Sequence, residues 1–239
     1  MYSSDPAEKL ILALDGMNES EVFSLLSEIP EVIWVKVGLE LFTLCGPDIL
    51  VKLRNKGKRV FLDLKFHDIP TTMSRACYQA AKLQAEIMTI HACAGENAMA
   101  QAHQAANKGA EEIGMPPPTL IAVTVLTSWS HQAFISDLDI SQSIKARVQH
   151  FAELSVRAGI GGCVCSPLEV KDLRINFPEP FELITPGIRF LDNCKDDQER
   201  VLSPMEAVRS GASKLVIGRI VTQAQYPHEA FKRVCKELN

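Results

Sequence analysis

A chain of 239 residues with 46% hydrophobic and 23% charged residues has ordinary globular composition and enough length for one substantial core. Its net charge of −4 gives no electrostatic footing for nucleic acid, and no apolar run reaches the length of a membrane span. The opening stretch MYSSDPAEKL lacks the basic and apolar regions of a signal peptide, so the chain is expected to be cytoplasmic.

Short apolar runs alternate with longer patterned segments throughout. Strands are expected over 10–15, 32–38, 59–65, 86–92, 119–126, 162–166, 181–186 and 214–218. Their near-continuous apolar character suits parallel strands covered on both faces. Helical patterns fall over 19–28, 70–84, 95–108, 141–158 and 203–210, and a last helix over 226–238 closes the chain. Pro116-Pro117-Pro118 reads as a stiff lead into the fifth strand, and AGIGG at 158–162 as a helix C-cap and turn. That glycine run precedes its strand and lacks the Gly-x-Gly-x-x-Gly spacing of a dinucleotide fingerprint. The seven cysteines are odd in number and contain no Cys-x-x-Cys, so reduced and mostly buried thiols are expected. Strand followed by helix, eight times over, predicts an α/β protein with a (β/α)8 TIM barrel, one domain over 1–239.

The third strand carries a conflict. VFLDLKFHDIP opens as a core strand and then places Asp63, Lys65 and Asp68 where apolar residues should continue. In a barrel, strand carboxyl ends converge on the face where chemistry is done. Those ends supply Asp15, Lys36, Asp63 and Lys65, and side chains two apart on a strand share a face, so Asp63 and Lys65 should point the same way. A stabilising ion-pair network is the plainer reading. However, buried charges are expensive, and apolar replacements often serve stability as well. Opposite charges gathered at the catalytic end therefore point to function. Alternating ammonium and carboxylate groups without an obvious nucleophile suit decarboxylation, in which a carbanion must be held and protonated. His67 and His91 read as structural or hydrogen-bonding histidines.

The last third offers an anion site. LITPGIR brings Gly187 and Arg189 to the end of strand seven, and KLVIGR brings Gly218 and Arg219 to the end of strand eight. Barrels often hold phosphate in these loops, and a guanidinium supplies paired hydrogen bonds. The polar connection over 190–203, with Gln198, is long enough to act as a lid.

With these motifs in order (LALD, VKVG, FLDLKFHDIPTT, VLTS, TPGIR, Gln198, IGR), the whole chain closely resembles the orotidine 5′-phosphate decarboxylase family, cofactor-free enzymes of pyrimidine synthesis. The resemblance implies that Lys65 donates a proton to C6 of the pyrimidine of orotidine 5′-monophosphate and that Asp63 lies against the substrate carboxylate. It implies that Lys36 completes the charge array while contacting ribose, that Asp15 holds ribose hydroxyls, and that Thr127 meets the base edge. Thr72 joins the substrate contacts, and Arg189, Gln198, Gly218 and Arg219 take the phosphate. It also implies a homodimer in which Asp68 serves the neighbouring subunit's site, with no metal. A sibling, 3-keto-L-gulonate 6-phosphate decarboxylase, uses Mg²⁺ and carries an acid near the end of strand two, where this chain has Lys36, a cation that opposes metal binding. A non-catalytic sensor of phosphorylated nucleosides is a further reading, needing the Gly-Arg site but not Asp63 and Lys65. The chain departs from the family pattern at Phe190 and Ile220, where relatives usually have proline, and in having no glycine from 188 to 200.

Overall fold

The computed structural model describes residues 5–188 and 202–238. Eight parallel strands close a barrel in sequence order: β1 Leu10–Ala13, β2 Trp34–Gly38, β3 Arg59–Phe66, β4 Ile87–His91, β5 Thr119–Val123, β6 Gly162–Val164, β7 Glu182–Thr185 and β8 Lys214–Ile217. The observed strands are mostly shorter than the apolar runs because pairing stops where the chain turns outward over the rim.

Period-two alternation explains how each strand is used. Leu12, Val35, Val37, Val60, Leu62, Met88, Ile90, Leu120, Leu183 and Leu215 face outward into the shell of helices. Ile11, Trp34, Phe61, Ile87, Ile121 and Ile184, with Val164 and Val216, form a separate apolar plug inside, contributed to by every strand. Two residues further along, the inward positions become Ala13, Lys36, Asp63, Thr89 and Val123, and Lys36 pairs in register with Ala13. Charges thus begin one layer above a complete hydrophobic floor. At the opposite end the Trp34 ring carries the Arg59 guanidinium 4.0 Å from its centroid and donates through Nε1 to Glu8 at 3.0 Å.

Proline at the first turn starts the helix Pro70–Lys82. It packs along Glu96–Glu112, which extends past the expected end through Gly109, where a side chain would collide with the Tyr78 carbonyl. The segment expected as helix 141–158 is Ile144–Arg157, started by Ser143, whose Oγ accepts from Ala146 N–H at 3.2 Å. Five short helices carried no clear periodic signal: Leu39–Cys45, Asp48–Asn55, His131–Leu138, Val170–Asn176 and Arg219–Thr222. The triple proline leads into β5, and Ala158 and Gly159 end a helix as expected, Gly159 with φ +75°. The described cysteines are free thiols; Cys77, Cys163 and Cys165 are buried, Cys45 and Cys235 partly so, and Cys93 is exposed. Cys194 lies outside the described residues. Among the described residues no helix is long and apolar enough to cross a membrane.

Candidate active site

A cavity of about 580 Å³ opens at the carboxyl end of the strands. Phe61, Val164 and Val216, from the top of the apolar plug, form its floor, and Val123 lines it one layer higher.

Above the floor runs a line of alternating charge. Lys36 Nζ lies 2.9 and 2.8 Å from the two Asp15 oxygens and 3.4 Å from Asp63 Oδ2. Lys65 Nζ lies 2.8 Å from the same Asp63 oxygen. The array is graded in exposure, with side-chain values of 9% for Lys36, 11% for Asp63, 31% for Lys65 and 49% for Asp15. The charged groups most costly to bury are therefore those with the most partners. Burial by itself would raise the Asp63 carboxyl. The Lys36 and Lys65 ammoniums, with hydrogen bonds from Lys65 and Thr89, outweigh it and hold the group below the usual carboxylate value. Asp63 is therefore an anion across the neutral range.

Asp63 and Lys65 do meet, but not by simple pleating. Lys65 has φ +50°, and the β3–β4 register shifts between Leu62 and Phe66. A left-handed non-glycine residue costs about 1–3 kcal/mol and persists only where its surroundings hold it. Here the displaced Lys65 N–H is received by Thr89 Oγ1 at 2.9 Å.

Gly38, paired with Asp63 in register, is the other backbone requirement. A Cβ there would collide with the Asp15 carboxylate and come within 2.9 Å of Lys36 Nζ. Gly38→Ala is expected to lower stability by about 1–3 kcal/mol in urea unfolding, as overpacking does. An unchanged midpoint would show that Asp15 moves aside freely.

The far wall is built from Pro186, Gly187, Gly218, Arg219, Thr222 and Gln223. Gly218 immediately precedes the short helix Arg219–Thr222, which turns the Arg219 position over the cavity. Ile220, at the departure from the family pattern, is partly buried against the core. Thr127 lines the side formed after β5. The structure thus brings Asp15, Lys36, Asp63, Lys65, Thr127, Gly218 and Arg219 around one space. Asp68 and Thr72 do not line it; both are exposed, and Asp68 Oδ1 accepts from Ile69 N–H at 2.7 Å. Arg189 and Gln198, with most of the expected lid, lie outside the described residues.

His67 and His91 meet beside the site with tilted rings, centroids 5.4 Å apart at an interplanar angle of 47°, and His67 Nε2 is 3.7 Å from Cys93 Sγ. Burial, then the neighbouring His67 and Lys65, hold His91 below its ordinary value, which favours a neutral ring. Sequence reasoning missed Met17, Gly38, Thr89, Thr222 and Gln223. Thr89 was within reach, because it stands two residues after inward-facing Ile87 at the height of Asp63. Gly38 stood in the VKVG motif, but its role was not legible there, since it depends on what crosses it in space.

The sequence model of the orotidine 5′-phosphate decarboxylase / HUMPS family matches residues 8–234. Curated relatives named orotidine 5′-phosphate decarboxylase include one from Prochlorococcus marinus, 59% identical over 236 residues, covering 99% of this chain and 98% of that protein. Another, from Parasynechococcus marenigrum, is 53% identical over 236 residues, covering 99% of this chain and 96% of that protein. Among solved structures, orotidine 5′-phosphate decarboxylase from Lactobacillus acidophilus superposes with a TM-score of 0.86 at 35% identity, over 97% of this chain and 99% of that one. A Geobacillus kaustophilus protein titled uncharacterized gives 0.84 at 32% identity, over 96% and 100%.

Proposed function

The chain belongs to the orotidine 5′-phosphate decarboxylase / HUMPS family, and from that premise we propose that it converts orotidine 5′-monophosphate to uridine 5′-monophosphate and CO2 in pyrimidine biosynthesis. The observation that carries this reading is the array Asp15–Lys36–Asp63–Lys65, with both ammoniums on one oxygen of Asp63.

On this reading the phosphate sits at Gly218 and Arg219, joined by Arg189 and Gln198. The ribose lies against Asp15 and Lys36, the base edge meets Thr127, and C6 faces Lys65. The bond from C6 to the carboxylate breaks, its electron pair stays on C6, and CO2 leaves. The Lys65 ammonium gives its proton to C6 and is left as an amine that solvent recharges. Asp63 beside the substrate carboxylate raises the energy of the starting complex; two like charges about 4 Å apart at an effective dielectric near 20 repel by about 4 kcal/mol. Stabilisation of the developing carbanion by the fixed ammoniums is the larger contributor, because it acts on the transition state.

The same reading makes the chain a single-domain, cytoplasmic homodimer, without cofactor, in which Thr72 contacts substrate and Asp68 acts at the partner's site. Support comes from the rim itself. Leu39 and Leu44, in the helix that follows β2, and Ile69, after β3, are 57%, 62% and 67% exposed, apolar positions suited to being covered.

The test is release of CO2 from orotidine 5′-monophosphate in the presence of EDTA. Turnover undiminished by the chelator supports the reading. Tight nucleotide binding without CO2 would instead favour a sensor. Arg219→Ala should depress kcat/KM for the phosphorylated substrate by about 10²-fold or more and leave the slow reaction of the dephosphorylated nucleoside little changed, since a charge-assisted contact to phosphate would be lost. Equal damage to both substrates would remove Arg219 from the phosphate site.

A further inference from the structure

Thr89 stands on β4 with no solvent exposure. Its Oγ1 donates to Asp63 Oδ1 at 2.9 Å and accepts from Lys65 N–H at 2.9 Å. One hydroxyl therefore joins the two residues assigned the carboxylate contact and the proton transfer, and its own hydrogen has a fixed direction. The Asp63 oxygens are divided between partners: Oδ2 takes the two ammoniums and Oδ1 takes Thr89. The plane of the carboxylate is thereby set from both sides.

Packing alone does not call for a hydroxyl here. The inward positions at the same height include Ala13 and Val123, both buried and apolar. Valine would fill nearly the same volume as Thr89, so the distinctive property of the residue is its hydrogen-bonding pair. That pair also receives the N–H displaced by the left-handed turn at Lys65, where the β3–β4 register slips. Without it, a part-buried donor loses its acceptor, and Asp63 is free to rotate about Cβ–Cγ toward whichever ammonium is nearer.

We propose that Thr89 is a positioning residue for decarboxylation, clamping Asp63 and the Lys65 backbone in one geometry before substrate arrives. This rests on the reading of Asp63 and Lys65 given above. Misplacement of a reacting group by about 1 Å can cost about 10²-fold in rate, so loss of the clamp should be read mainly in kcat.

The experiment compares wild type, Thr89→Val and Thr89→Ser for turnover of orotidine 5′-monophosphate, binding of uridine 5′-monophosphate and thermal midpoint. Thr89→Val is expected to lower kcat by about 10–10²-fold while product affinity stays within about threefold, because the phosphate and ribose contacts are untouched. Thr89→Ser, which keeps the hydroxyl and loses the methyl, is expected to recover most of kcat even if its midpoint falls. A Thr89→Val enzyme within about threefold of wild type, or a Thr89→Ser enzyme as slow as Thr89→Val, overturns the proposal. Should Thr89→Val not fold, Thr89→Ala against Thr89→Ser carries the same two outcomes. A wild type that releases no CO2 overturns the functional reading and this proposal together, whereas an active wild type beside an undamaged Thr89→Val overturns only the role of Thr89.

Discussion

Lys65→Ala is expected to lower decarboxylation by about 10⁴-fold, the upper end for loss of a positioned general acid, while uridine 5′-monophosphate still binds. The ammonium is 2.8 Å from Asp63 and about a third exposed, open to the cavity and not enclosed in the core. Its removal leaves Asp63 with Lys36 at 3.4 Å and with Thr89, so the buried anion keeps two partners and the barrel should fold. The left-handed backbone at residue 65 costs alanine as it costs lysine, so the substitution isolates the ammonium. Steady-state turnover measured beside product titration checks the outcome. Turnover within about tenfold of wild type would assign the proton donor elsewhere.

A second large effect is expected from mixing two inactive variants. Asp68 is exposed and does not line the cavity of its own chain, although it lies three residues after Lys65. If it completes the neighbouring site, each site of a two-fold dimer combines Asp63 and Lys65 of one chain with Asp68 of the other. Asp68→Asn keeps an oxygen for the Ile69 N–H and removes the charge, which separates the local turn from any role across the interface. Lys65→Ala and Asp68→Asn should each be nearly inactive alone. When equal amounts exchange subunits at random, about half the dimers are mixed, and each mixed dimer has one site with both lesions and one with neither. About a quarter of all sites should then regain normal activity. Demonstrated exchange with no return of activity would place Asp68 in its own chain's site or remove it from the reaction.

Much of the architecture was legible because covered parallel strands leave a direct trace, runs that are apolar on both faces. Arg59–Phe66 shows how far that trace extends. Its apolar start, the break into charge at Asp63, and the proline-led helix that follows are all local features, and the closed barrel agrees with each of them. The short helix His131–Leu138 was not legible. It is two turns long, starting at a Ser130 cap and ending at left-handed Asp139, too brief for a periodic pattern to stand out.

By itself the sequence determined what is written within a few residues: strand against helix, inward against outward, and the charged strand ends Asp15, Lys36, Asp63 and Lys65. It also carried enough family pattern to name the chemistry as an expectation. Only the tertiary structure decided which of these groups touch. Strands β1 to β4 are laid side by side by successive parallel pairing, so Lys36 reaches both Asp15 and Asp63, and Thr89 reaches back to Asp63 and Lys65 across more than twenty positions of chain. The left-handed turn at Lys65 and the space that Gly38 leaves for Asp15 belong to the same class. Neither is a property of the residue's own neighbours in sequence. Both arise because a buried charge is tolerated only where several strands converge to supply its partners, and that convergence exists only once those strands have paired.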